Sequence, residues 1–350
     1  MIPQSYQLFK RGCCMFNLIP LAATLGDKLD TTFFGLDTAI FTFFGNMQNG
    51  FLNIVAKLFT SLGDENFIIP VAVLAVVLCC FKKTRKYGIA VISAVAIGTI
   101  ITNLCLKPMV LRVRPYNTLQ LSDFWAQFKS WYTSVGSLSE SDYSFPSGHT
   151  TSAFEVAVAL CLCLASDKKG KVAWIPPLLA LGTACSRIYL MVHYPTDVIA
   201  GVLAGTFAGV CGFFISKLAL HIFSKSEKLD KICFEDLFHL KIYKAFYIIL
   251  AIVIIADFGF SFGKLMTESD EVKCAYNVEY DCNNKARIGE DKYPAIDGKN
   301  YCKIHWKQLT AEAEGEEQAE EETDAPAEDV TNETATLPEQ TEAEQTNAAA

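Results

Sequence analysis

Tyr87–Leu106, YGIAVISAVAIGTIITNLCL, runs for twenty residues without a charge. That matches the about 20 apolar residues a helix needs to cross the ~30 Å hydrocarbon core of a bilayer. Inside such a core every backbone amide must be satisfied within its own segment, so the run reads as a helix and not as a strand. Comparable stretches lie at Phe67–Phe81, Val172–Ser186 and Val198–Ser216, and Thr150–Ser166 is broken only by Glu155. Ala245–Ala256, extended through Phe262, predicts a further span. Residues 31–62 read as one span preceded by an interfacial helix, because Asp37, Asn46, Asn49, Asn53 and Lys57 interrupt the apolar signal. The prediction is an all-α, integral-membrane helical bundle of about six core spans with a seventh added.

Composition supports this reading. The 350 residues are 51% hydrophobic and 19% charged, outside the usual range of soluble domains. The net charge of −8 misleads, because residues 311–350 carry fourteen acidic residues and no Lys or Arg. Without them the chain carries +6, a balance suited to anionic lipids or phosphates. Of thirteen cysteines, Cys79, Cys80, Cys105, Cys161, Cys163, Cys185 and Cys211 sit in apolar runs, where cysteine behaves as a small hydrophobe. No signal peptide is read at the start, so the spans themselves are expected to direct insertion.

Orientation follows from the cationic loops. Lys82, Lys83, Arg85 and Lys86, then Lys168, Lys169 and Lys171, then Lys225, Lys228 and Lys231 mark three loops as cytoplasmic by the positive-inside rule. Residues 107–149 and 187–197 then face outward. Gly201, Gly205 and Gly209 recur every four residues, a spacing that lets helix backbones approach, either within the bundle or across a dimer.

Three polar clusters stand where spans meet that outer surface. They read K-x6-R-P over Lys107, Arg114 and Pro115, P-S-G-H over Pro146–His149, and S-R-x5-H-x3-D over Ser186, Arg187, His193 and Asp197. In order and spacing these eleven positions resemble the three signature motifs of the type 2 phosphatidic acid phosphatase superfamily, in its membrane lipid phosphatase branch. The likeness covers residues 107–197, and the surrounding helices extend it to about 31–223.

The residue types make chemical sense by themselves. A phosphoryl group in transfer needs fixed donors around its equatorial oxygens. Lys107, Arg114 and Arg187 are candidate phosphate-binding cations, and Ser147 with the amide of Gly148 adds donors at a helix start. His193 has Asp197 four residues on, placed to hold one ring nitrogen and leave the other free to attack phosphorus. The resemblance implies the same roles: a phosphohistidine on His193, a leaving-group proton from His149, and no cofactor. Cations around both histidines argue against a metal there. Arg112 is a further candidate phosphate contact, with snorkelling to headgroups as the bland alternative. Asp197 as a helix N-cap is compatible with catalytic duty. Glu155 is either turned to a polar cavity or paired with a neighbour.

The apolar positions Leu121, Phe124, Trp125, Phe128, Trp131 and Tyr132 paint one helix face, expected to lie in the outer headgroup region. The chain divides into an N-terminal segment 1–30, the core 31–223, a loop and added span 224–263, a segment 264–310, and an acidic tail 311–350 expected to be disordered. Cys274, Cys282, Cys302 and His305 lie in segment 264–310, and on the outer face a disulfide is favoured over zinc, with unpaired thiols the third reading.

The spans and the cationic loops predict a multi-pass membrane protein, expected in the plasma membrane, with its site on the extracytoplasmic face, and the resemblance implies a phosphatase. Implied substrates are phosphatidic acid, phosphatidylglycerol phosphate and polyprenyl diphosphates such as undecaprenyl diphosphate. The expected partner is a lipid phosphate, and no nucleic acid. The alternative is a non-catalytic anion or lipid transporter using the same cations, against which stands the His193, Asp197 and His149 set.

Overall fold

A computed structural model describes residues 24–226, 241–267, 273–276, 282–286 and 294–311. Most of segment 1–30, residues 227–240, where the sequence reading puts a loop, and the acidic tail beyond residue 311 lie outside these. The chain forms two compact units, Met1–Trp306 and Lys307–Ala350, the second described only over 307–311, which is helical.

Helix α1, Leu25–Asn46, starts in a reciprocal cap in which Thr24 and Asp27 accept each other's backbone amides. Asn49 and Asp64 cap α2, Gly50–Ser61, and α3, Glu65–Cys79, in the same chemical way. The decisive run forms α4, Arg85–Thr99, but its last part widens into a π-helical segment, Ile100–Leu106. A short α5, Lys107–Val110, follows and ends on Leu111 in the left-handed region, so Arg112–Arg114 leave the helix as extended chain. Next come α6, Pro115–Thr118, and α7, Trp125–Ser134. The long helices of the second half are α8, Gly148–Ser166, α10, Ile175–Tyr189, and α11, Pro195–Lys225, with the single turn α9, Gly170–Ala173, before α10. Helix α12, Lys241–Thr267, covers the stretch read from sequence as an added span, with its most apolar part at Ala251–Phe260.

The described residues are mostly helical and contain no strand, only the isolated bridges Lys273–Lys285 and Ile296–Lys299. Among the described residues, four helical stretches are long and apolar enough to cross a membrane: Gly50–Cys79 counted through its turn at 62–64, Arg85–Leu121, Gly148–Ser166 and Pro195–Lys225. Residues 31–62 are thus two helices meeting near Met47.

The glycine stripe of α11 is used inside the bundle. A Cβ on Gly205 would stand 2.5 Å from the Thr151 carbonyl, one on Gly201 2.9 Å from the Ser147 carbonyl, and one on Gly209 2.7 Å from Val158 Cβ. Each contact belongs to α8, so hydrogen in place of a side chain sets the helix separation.

The two ends of the bundle differ in chemistry. At one, Lys86 and Tyr87 bind Asp167, and Arg85 lies over the Phe223 ring, which gathers the cationic loops. The motif residues collect at the other. Helix α12 packs on α3 through Phe258 and Phe67, which places its C-terminal end on the motif side.

Two expectations change. Helix α7 does not present its apolar face outward: Phe128 and Tyr132 are buried, Phe128 edge-on to Phe41 of α1 and Tyr132 stacked on Tyr116. Glu155 does not face the motif residues. It is buried opposite Gly98 of α4, with Oε2 lacking a hydrogen-bond partner among the described residues.

Candidate active site

The extended stretch after α5 carries two arginines with opposite duties. Arg114 donates from Nη1 to His193 Nε2 at 3.1 Å and to the Val192 carbonyl at 3.0 Å. Its Nη2 donates to Glu140 at 2.5 Å and to Asp142 at 2.9 Å. Glu140 turns its second oxygen to Arg187, and Asp142 its second oxygen to Lys107. Lys107 Nζ lies 3.9 Å from where a Cβ on Gly148 would stand. Lys107, Arg114, Gly148, Arg187 and His193 therefore surround one locus, in which two carboxylates from the loop 139–143 hold the cations. Burial would raise the Asp142 pKa, but the charges of Lys107 and Arg114 overcome it and hold this carboxyl below the usual range. Arg187 also donates to Thr60 at 2.6 Å, while its buried Nε has no partner among the described residues.

Arg112 lies differently. It is fully buried and donates to Asp30 at 2.7 Å, Asp37 at 2.8 Å, Thr196 at 2.7 Å and Asp197 at 2.6 Å, with the Tyr194 ring 3.7 Å away. The candidate role of Arg112 in phosphate binding is corrected on this ground, and so is snorkelling, because its guanidinium is committed to three carboxylates.

Asp197 is consequently fixed. Its Oδ1 takes Arg112, and its Oδ2 accepts from Ser144 at 2.5 Å and from the Tyr194 amide at 3.1 Å. The direct carboxylate–imidazole bond read from the i,i+4 spacing is replaced by a relay. His193 Nδ1 stands 3.7 Å from Asp197 Oδ2 and 3.3 Å from Ser144 Oγ, which itself donates to Asp197. With Arg114 donating to Nε2, this network assigns the proton to Nδ1 and the lone pair to Nε2. Burial first, then the charges of Arg114, Arg187, His149 and Lys107, hold the His193 pKa well below 6.5, so the ring is neutral near pH 7.

Ser147 caps α8, accepting from the Thr150 amide at 3.4 Å, while its own amide donates to the Asp197 carbonyl at 3.1 Å. That bond ties the second motif to the third. No carboxylate neighbours His149 in sequence, yet the fold supplies one: Asp64 lies 3.5 Å from His149 Nε2. A Cβ on Gly63 would come within 2.6 Å of the His149 carbonyl, so the turn before α3 presses directly on this residue.

Ser144, Glu140, Asp142 and Asp64 are functional candidates that the motif spacing did not reveal. Charge accounting points toward the acids, since buried cations demand anions.

A helical bundle with membrane-type spans, gathering three cations and two histidines at one end, defines a membrane protein with an anion-handling site. The model of the PAP2 superfamily matches residues 85–226. The chain is 31% identical over 173 residues to the undecaprenyl-diphosphatase of Sulfolobus acidocaldarius, covering 49% of this chain and 74% of that one. It is 29% identical to the lipid A 4'-phosphatase of Bacteroides thetaiotaomicron, over 52% of this chain and 77% of that one. It is also 29% identical to the phosphatidylglycerophosphatase B of Bacillus subtilis, over 45% and 72%. The chain belongs to the PAP2 superfamily.

Removing one partner of a buried ion network leaves charge unpaired and costs about 3–5 kcal/mol. Arg112→Met should therefore lower the thermal midpoint sharply in detergent, and adding Asp37→Asn should restore part of the loss. An Arg112→Met protein as stable as wild type would contradict the network's role.

Proposed function

We propose that this chain is a membrane lipid phosphatase that forms a phosphohistidine on His193. The observation that carries the reading is the state of that imidazole: buried, neutral, with Nδ1 engaged through Ser144 and Asp197 and the Nε2 lone pair facing the cations. Binding an anion needs only the cations. A nucleophile prepared in this way is superfluous to a transporter.

In the reaction, the phosphoryl oxygens take the donors of Arg114 and Arg187 from Glu140, and those of Lys107 and Gly148 complete the cradle. His193 Nε2 attacks phosphorus, the bond to the lipid oxygen breaks, and that oxygen receives a proton from His149. The Asp64 carboxylate orients the His149 ring for this. Water then gives a proton to His149 and attacks the phosphohistidine, releasing inorganic phosphate and regenerating neutral His193. The relatives act, by name, on undecaprenyl diphosphate, lipid A 4'-phosphate and phosphatidylglycerophosphate. Outward orientation favours a polyprenyl diphosphate among such substrates.

His193→Gln should abolish phosphate release while the protein still inserts and folds. His149→Ala should lose more activity on a lipid monoester than on an activated aryl phosphate, and should accumulate acid-labile phosphoenzyme, because a good leaving group needs no proton. The acid limb of kcat/KM set by His193 protonation should lie below pH 6.5. Near-normal turnover by His193→Gln, or equal losses on both substrates with no trapped intermediate, would remove the proposed division of labour.

Glu140 is the group that substrate displaces. Glu140→Gln keeps its shape without its charge and should lower KM roughly tenfold, the scale of one charge-assisted hydrogen bond. An unchanged or raised KM would mean that phosphate binds without displacing Glu140.

Sidedness has its own test. Ser141 is buried, whereas Ser130 on α7 is exposed and serves for labelling. In a cysteine-free background, Ser130→Cys should react with an impermeant maleimide in intact cells. Labelling only after permeabilisation would place the site in the cytoplasm.

A further inference from the structure

We propose that Cys274, Cys282, Cys302 and His305 form a structural zinc site that anchors the C-terminal segment to the catalytic loops. The four ligand atoms all lie within 4.8 Å of one another. Cys274 Sγ and Cys302 Sγ are each 3.4 Å from His305 Nδ1. Tetrahedral zinc, with Zn–S about 2.3 Å and Zn–N about 2.0–2.1 Å, sets S···N edges near ~3.6 Å and S···S edges near ~3.8 Å. The arrangement is thus close to that needed to surround one ion.

Burial and surroundings agree with this assignment. All four residues are buried, and the only hydrophobic cluster of the segment among the described residues consists of the three cysteines, flanked by Tyr276, Tyr301 and Ile304. A segment this small, with thiols for a core, has too little apolar surface to hold itself together and needs a cross-link. A disulfide would join two of the sulfurs and leave a third thiol and an imidazole buried at the same point without a purpose. A metal uses all four. The outer shell is of the kind that tunes such sites: Asn284 Nδ2 donates to Cys302 Sγ at 3.5 Å, and the Tyr276 ring stacks on His305 at 3.8 Å and 9°. Three sulfurs with one imidazole nitrogen in tetrahedral spacing suit zinc over harder, oxygen-seeking ions.

The position of the site gives it a task. Asn284, which donates to a ligand sulfur, accepts at Oδ1 from Tyr116 Oη and from Asn117 Nδ2, both at 3.1 Å. The Asn283 amide donates to Asn117 Oδ1 at 2.9 Å, and the Lys285 amide to the Glu140 carbonyl at 3.3 Å. Tyr116 Oη in turn receives the Glu140 amide at 3.0 Å. The zinc segment is therefore bonded to the chain just after Arg114 and to the residue that bridges Arg114 and Arg187. It positions the loop that substrate must displace and supplies no group to the chemistry.

The test uses the full chain, purified untagged in detergent without chelator, and measures metal by mass spectrometry. Wild type should carry about one zinc per chain, and after Co²⁺ exchange should show thiolate charge-transfer and tetrahedral d–d bands. Cys274→Ser and Cys302→Ser should each lose the metal, and Cys105→Ser should keep it. Should the ligand variants fail to fold, the wild-type metal content, cobalt spectrum and count of titratable thiols decide alone. Metal-free wild type with two of the three cysteines joined in a disulfide, or zinc that survives both ligand substitutions, overturns the proposal. Neither result touches the histidine mechanism, which is read by phosphoenzyme trapping.

Discussion

A guanidinium with no access to water holds this site together. Burying Arg112 is tolerable only because Asp30, Asp37 and Asp197 surround it, and each comes from a different place in the chain: two turns of α1 and the start of α11. The same residue gives its carbonyl to the Ser144 amide at 2.8 Å. One buried cation thereby fixes the carboxylate behind His193, the hydroxyl between them, and the start of the helix that carries the carboxylate. Such networks add little net stability compared with apolar packing, but they impose one geometry. Here that geometry is the tautomer of an imidazole.

A second electrostatic requirement shapes the phosphate locus. Arg114 and Arg187 are almost wholly shielded from water, and mutual repulsion would open the pocket if it held cations alone. Glu140 and Asp142 neutralise them. On the function proposed above, a phosphate takes the place of the Glu140 carboxylate against the same cations, so binding is an exchange of anions. Selectivity for a phosphate over weaker anions then rests on how many donors each can hold.

The bundle and the motif residues were legible because both are written in local pattern. Hydropathy marks the spans, and short fixed spacings mark Lys107, Arg114, Ser147, Gly148, His149, Arg187, His193 and Asp197. What stayed hidden arrives from far away. Asp30 lies 82 positions from Arg112, and Asp64 meets His149 only because Gly63 lets a turn press against α8. Neither has a spacing relation to its partner. Ser144 escaped notice because the four-residue step from His193 to Asp197 suggests direct contact, and only the fold shows a hydroxyl placed between them. The aromatic face of α7 was legible as helical but not as buried, since a sequence cannot say whether lipid or Phe41 covers a ring. In the Cys/His segment all four residues were readable as a set, but a disulfide was favoured, and only the fold shows four ligand atoms within 4.8 Å of one another.

The two faces of α11 divide labour in a way that bears on how such a protein can diverge. Toward α8 it offers glycines, which let the chain segments bearing Ser147 and Asp197 approach more closely than any side chain would allow. On its outer surface Ile199, Leu203, Phe207 and Phe214 are exposed. Substitutions there leave the contacts of Gly201, Gly205 and Gly209 with the α8 segment untouched. One helix thus sets a face that has room for change beside a face that has none, because only the glycine side meets another backbone.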